Sequence, residues 1–245
     1  WTGPAGDRST FFYNPFRKRW VQSIRTWIHP RGRARLYWED ADFLHSGQWQ
    51  PGEPPFWTGA DTMDVCGDAR AQLYNLDAVA YESLMIGFFQ ILEGPPNQIG
   101  QARAEPKLTE LVLATSRDGF HWHRPDRRPF IGARREPGSW EFGYVESTGG
   151  VCLVVGDELW FYYSAYAGEP TCPGEPWQVS GMYGNGAVGL AKLRRDGFAA
   201  MQARFAGADL LTRPLTFSGR HFFVNAQTAG ARLSARSSPS PRSTR

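Results

Sequence analysis

A unit that begins with a carboxylate and continues as two short apolar runs occurs three times along this chain. A recurring unit restricts the fold more than any single motif does. The first copy runs from Gly6 to Arg25 (GDRSTFFYNPFRKRWVQSIR) and the second from Gly67 to Phe89 (GDARAQLYNLDAVAYESLMIGFF). The third is looser and runs from Glu146 to Tyr166 (ESTGGVCLVVGDELWFYYSAY). Asp7 and Asp68 each stand six residues before a tyrosine-asparagine pair, Tyr13-Asn14 and Tyr74-Asn75, and Trp20 and Tyr81 follow at matching distances. Aligning Trp160 with these two aromatics brings Glu146 near the position of Asp7 and Asp68.

Each copy is the start of a longer unit. The first has strand candidates at 11–14, 20–28 and 33–39, the second at 73–76, 83–92 and 110–115, and the third at 150–155, 159–166 and 186–193. Arg117-Asp118-Gly119-Phe120 and Arg195-Asp196-Gly197-Phe198 repeat a turn signal, because Asp-Gly between extended runs favours a hairpin. The first of these turns is expected to lead into a fourth strand at 120–123. Residues 46–66, 94–106 and 168–185 read as loops. With 27 Gly, 18 Pro and 14% aromatic residues, the chain has many turns and strong strand formers. The expected class is all-β, and four-strand units at this spacing fit the blades of a β-propeller. The expected organisation is a propeller over 1–215, the start of a C-terminal β module over 216–233 that includes a strand at 221–226, and a Ser/Pro/Arg-rich disordered tail over 234–245.

The net charge of +3 comes from the tail, where Arg232, Arg236, Arg242 and Arg245 lie without acids. The body is close to neutral, which argues against a broad nucleic-acid surface. No apolar run approaches the length of a membrane span. Cys66, Cys152 and Cys172 lack metal-ligand spacing, and Cys152 with Cys172 is one candidate disulfide. Phosphate-binding Gly-rich loops, His-Glu-x-x-His and Gly-x-Ser-x-Gly are absent from the sequence.

Three segments carry a resemblance to a known group: Tyr74-Asn75-Leu76-Asp77-Ala78-Val79-Ala80-Tyr81-Glu82-Ser83, Ser116-Arg117-Asp118-Gly119-Phe120-His121-Trp122, and Gly156-Asp157-Glu158-Leu159-Trp160-Phe161-Tyr162-Tyr163. Over roughly residues 7 to 225 the chain resembles the five-bladed β-propeller superfamily of glycoside hydrolase families 32, 43 and 68, nearest to family-32-like proteins. The resemblance implies a five-bladed propeller, incomplete at the N-terminus if a blade precedes Trp1. It also implies a sugar site at the propeller axis, lined by acids on the innermost strands. The chain lacks the Trp-Met-Asn-Asp-Pro-like, Arg-Asp-Pro and Glu-Cys segments of family 32.

Glycoside hydrolysis needs one carboxyl group to protonate the leaving oxygen and another to attack or to activate water. Asp7, Asp68 and Glu146 are the catalytic candidates because their repeat positions correspond. On the resemblance, Glu146 is the acid, Asp68 the nucleophile or base, and Asp7 an orienting carboxylate. Asp77, Glu82, Trp57, Trp140 and Trp177 are substrate-binding candidates, the tryptophans as stacking platforms in loops. Asp118 and Asp196 read as turn formers, and Asp61 and Asp64 as exposed loop acids. The expected function is a glycoside hydrolase acting on an oligosaccharide or glycoside, with carbohydrate as its partner and without cofactor or metal. The alternative is a noncatalytic carbohydrate-binding or degenerate propeller, in which the acids splay apart or pair with arginine.

Overall fold

The computed structural model describes residues 3–64, 70–103, 107–168, 184–203, 208–216, 218–228 and 232–234. Cys66, Asp68, Cys172 and Trp177 lie outside these residues. The chain divides into two compact units, 1–193 and 194–245.

The first unit is all-β and consists of three antiparallel sheets. Sheet 1 contains β1 (Thr10–Asn14), β2 (Arg19–Ile28), β3 (Gly32–Asp40) and β4 (Phe56–Gly59) in sequential order. A one-turn helix, α1 (Phe43–Ser46), precedes β4 and is capped by Asp42, which accepts from the His45 N–H at 2.9 Å. Sheet 2 contains β5 (Gln72–Tyr81), β6 (Leu84–Gly94) and β7 (Leu108–Ser116), with α2 (Asn97–Arg103) between β6 and β7. Sheet 3 contains β8 (Gly143–Val155), β9 (Glu158–Tyr166) and β10 (Gly186–Arg194), again with sequential neighbours paired.

Two expected loops therefore contain elements. The loop at 46–66 holds β4, whose Pro- and Gly-rich flanks hide a short edge strand, and the loop at 94–106 holds α2. The expected fourth strand of sheet 2 is reduced to isolated bridges, Thr115 with His123 and Leu111 with Ile131. The sharp Ser116–Gly119 turn is present. Asp118 accepts from the Phe120 and His121 N–H groups at 2.9 and 2.8 Å, and Gly119 takes φ +74°. Burial would raise the Asp118 carboxyl, but these bonds and the His121 ring hold it below the usual carboxylate range. Its role is structural.

The first strands of the three sheets lie side by side and run in the same direction. Thr10 Oγ1 reaches Asn75 Oδ1 and the Leu76 carbonyl, each at 3.3 Å. At the far end of β1, Asn14 Nδ2 donates to the Asp118 carbonyl at 2.7 Å. Between β5 and β8, the Tyr74 and Tyr144 hydroxyls meet at 2.9 Å, and Ser147 Oγ donates to Asp77. Adjacent propeller blades place their inner strands in this way, but the described residues form three open sheets and no closed ring.

This geometry also corrects the repeat alignment. Asn14 ends β1 and caps the next turn by accepting from the Phe16 and Arg17 N–H groups, whereas Asn75 lies near the start of β5, which continues six residues further. With Thr10 level with Asn75 and Leu76, the level of Asp7 falls near Gln72, where β5 begins. The shared dipeptide serves two different places in two hairpins.

Sheet 2 is covered on both faces. Towards sheet 1, Leu73, Leu76, Met85 and Phe89 pack with Phe12, Val21, Tyr37 and Trp57. Towards sheet 3, Phe88 meets Phe161 with centroids 5.8 Å apart. Burial on both faces explains the nearly unbroken apolar run of β6. In the second unit, residues 221–228 carry no strand, and Phe222 and Phe223 are exposed.

Candidate functional site

The polar centre of the first unit lies where β1, β5 and β8 begin. Asp7 stands just before β1, with its side chain 65% exposed, and pairs with Arg25 of β2 at 3.0 Å. Glu146 is buried on β8. It faces Arg8 Nε at 3.6 Å and accepts from Ser164 Oγ at 3.4 Å. Arg8 Nη2 also donates to Gln90 Oε1 at 3.3 Å. Gln90 Nε2 in turn donates to Thr109 Oγ1 and to the Val145 carbonyl, each at 3.1 Å.

Two residues at this centre have left-handed backbone. Arg8 has φ +60° and Tyr144 φ +53°. Such conformations cost free energy in residues other than glycine, and they cluster where a site over-determines the chain path.

Lys107 stands just before β7 and is buried. Its ammonium donates to the Tyr74 hydroxyl at 3.3 Å and sits 5.0 and 5.5 Å from the Tyr74 and Tyr144 ring centres. Burial pushes it from the ordinary 10.5 down to about 8. The Arg33 charge adds to that shift, while Asp7 and Glu146 oppose it. Asp7, just before β1, and Glu146, on β8, therefore act on one cation. Arg33 donates to Gln72 Oε1 at 2.9 Å and lies 5.1 Å from the Tyr74 ring and 5.4 Å from that of Trp27. Trp27 is 58% exposed.

Behind this layer is a second, fully buried one. Arg35 donates to the Arg8 carbonyl at 2.7 Å and to the Tyr74 carbonyl, which holds the starts of β1 and β5 together. Burial lowers its guanidinium to about 9, and the Asp77 charge opposes that shift. Asp77 is buried and accepts from Ser147.

The structure thus brings Asp7 and Glu146 into one cluster, with Asp77 beneath it. Asp68 and Trp177 fall outside the described residues. Glu82 occupies the β5–β6 turn at φ +50°, about 30 Å of strand from the level of Asp7. Trp57 is not a platform. It is buried between sheets 1 and 2, packs edge-on against Tyr37 at 4.9 Å and donates to the Phe120 carbonyl at 2.8 Å. Trp140 stacks on Tyr163 of β9 at 5.7 Å. The cluster members that sequence reading passed over are Arg8, Arg25, Arg33, Lys107 and Trp27. The alternation Arg33-x-Arg35-x-Tyr37 on one strand face was the available signal.

Two other acidic groupings have different characters. Asp61 and Asp64 are gripped by Arg124 and Arg127 through contacts of 2.8 to 3.0 Å, and the Asp64 side chain is only 2% exposed. Both acids were expected at the surface; Asp61 is exposed, whereas the Asp64 side chain is not. They form a clip joining the 61–64 turn to the segment after sheet 2. Glu93 and Glu110 form a carboxyl pair with Arg135, whose guanidinium lies 3.4 Å from Glu110. Burial, followed by a hydrogen bond with Glu93, raises Glu110 to about 7. Both glutamates line a cavity of about 390 Å³.

Among the described residues no helix is long and apolar enough to cross a membrane, and no group of three or more His, Cys, Asp or Glu side chains could hold a metal ion. Cys152 carries a free, half-buried thiol that burial raises to about 11.

No protein-family profile matches the chain. It is 22% identical over 237 residues to the ABC transporter patM of Penicillium expansum, and that match covers 91% of this chain and 15% of the transporter. The chain therefore spans a small part of that protein's length. Among solved structures it is similar to an N-acetylgalactosamine deacetylase from F. plautii, with a TM-score of 0.47 at 15% identity, covering 76% of this chain and 49% of that one. A glycosyl hydrolase from Bacteroides ovatus gives a TM-score of 0.34 at 12% identity, covering 64% and 43%.

Proposed function

We propose that this chain is a carbohydrate-recognition protein built from propeller blades, and that it binds a sugar where β1, β5 and β8 begin. The observation that carries this reading is the convergence of Asp7 and Arg8 from just before β1, Arg25 from β2, Lys107 from just before β7 and Glu146 from β8, with Asp7 and Trp27 open to solvent. A sugar hydroxyl both donates and accepts. Paired acids and cations answer both roles, and an exposed indole answers the apolar face of the ring. Each of the two acids already has an arginine partner, which favours binding over chemistry.

Hydrolysis is the second reading, supported by the common action of Asp7 and Glu146 on Lys107. A general acid must bring a proton to the leaving oxygen. Glu146 would do so only after Arg8 swings away from its carboxyl group, with Asp7 or Asp68 as the second carboxylate.

Calorimetric titration with neutral and acidic mono- and oligosaccharides tests the primary reading. Wild type should bind at least one sugar, and Glu146→Gln should bind it about tenfold more weakly. Equal affinity in both proteins would overturn the assignment. Turnover of aryl glycosides that disappears in both Glu146→Gln and Asp7→Asn would promote the second reading to first.

A further inference from the structure

The polar centre has too many donors for its acceptors. Arg8, Arg25, Arg33 and Lys107 bring four cations, whereas Asp7 and Glu146 bring two carboxylates. The Nε atoms of Arg25 and Arg33 are buried without a hydrogen-bond partner, and that of Arg8 has only the loose 3.6 Å approach of Glu146. A buried donor left unpaired is costly, and more so when it is charged. Two such donors and a third loosely paired one in a single cluster call for oxygen acceptors from outside the chain.

Arg33 also lines a cavity of about 250 Å³ between sheets 1 and 2. Arg31, which is exposed, and Trp122 line the same cavity, and the Trp122 indole N–H is buried without a partner. Two more arginines face it, Arg124 and Arg127, but both are neutralised by Asp61 and Asp64. The uncommitted charge around the cavity is therefore that of Arg31 and Arg33.

We infer that the ligand is an anionic sugar, one carrying a carboxylate or sulfate group, and that Arg31, Arg33 and the Trp122 indole N–H receive its oxyanion. This rests on the carbohydrate reading above and narrows it to a ligand class. A planar guanidinium fork matches the paired oxygens of a carboxylate or sulfate, and an indole N–H can only donate. A neutral sugar would leave part of the cation excess uncompensated.

The test compares glucose, glucuronate, glucose 6-sulfate and inorganic sulfate by calorimetry at one fixed ionic strength. Wild type should bind glucuronate or glucose 6-sulfate about tenfold more tightly than glucose, and whichever of the two binds more tightly identifies the oxyanion. Arg31→Gln, on an exposed residue, and Arg33→Gln should each reduce that preference without weakening glucose binding to the same degree. If Arg33→Gln does not fold, Arg31→Gln and Trp122→Phe carry the test. Equal affinity for glucose and both acidic sugars overturns the inference and leaves carbohydrate recognition standing. Binding of inorganic sulfate without any sugar overturns both, as does no binding at all.

Discussion

The Asp61–Asp64 clip and the cluster around Lys107 are made of the same residue types and have opposite characters. In the clip, Arg124 and Arg127 engage the two carboxylates through near-ideal contacts, and the Arg124 guanidinium also lies 4.6 Å from the Phe89 ring centre. Little hydrogen-bonding capacity is left for a ligand. In the cluster, the Arg8–Glu146 pair is loose at 3.6 Å, the Nε atoms of Arg25 and Arg33 have no acceptor, and the backbone is left-handed at Arg8 and Tyr144. What separates the structural ion-pair network from the proposed binding site is unspent hydrogen-bonding capacity, not the number of acids.

The comparison is broken most severely by removing the buried arm of the clip. Arg124→Ala leaves Asp64 buried without its main partner and should destabilise the protein by about 3–5 kcal/mol in urea unfolding. A loss below about 1 kcal/mol would mean that the clip is ornamental. Lys107→Met should do the reverse. Replacing a buried cation whose ionisation is already disfavoured should leave stability at pH 7 unchanged or raise it by about 1 kcal/mol. Sugar affinity should fall at the same time. A variant that is both less stable and fully able to bind would place Lys107 with the clip.

The Glu93–Glu110 pair sharpens the contrast through pH. Folding raises Glu110 from 4.5 to about 7, so the folded state holds the proton more tightly than the unfolded chain does. That contribution is fully present below about pH 4.5 and is lost as pH rises through about 7, on the order of 1–2 kcal/mol after screening. The check is the slope of unfolding free energy between pH 4.5 and 7, which Glu110→Gln should flatten. The smallest effect is expected at the exposed edge of the clip. Arg127→Ala should cost about 1 kcal/mol, because Asp61 is nearly half exposed and its other partner, the buried Asp64, keeps Arg124.

Much of the strand order was legible in the sequence because turn chemistry marks its boundaries. The Asn14 turn, the Ser116–Gly119 turn and the Gly156-Asp157 hairpin all lie where Asn, Asp and Gly predict them. β4 was not legible, since its four residues gain regularity only by pairing with β3. The site was half legible. A carboxylate near the start of a first strand found Asp7 and Glu146, but the partners that give them meaning come from β2, β3 and the segment before β7. Their sequence distance hides them, and arginine and lysine at strand ends look like solvated charges. The tryptophans misled for a related reason. Loop position suggested exposure for Trp57, yet β4 turns it into the core between two sheets, while exposed Trp27 lies within an ordinary strand.

The most direct test of the central claim is a crystal structure of the full chain soaked with the tightest-binding acidic sugar. The account predicts sugar density at the start of β1, β5 and β8, in contact with Asp7, Glu146 and Lys107, with the oxyanion against Arg33. Density confined to the outer faces of the sheets, or a polar centre still without ligand at saturating sugar, would contradict it.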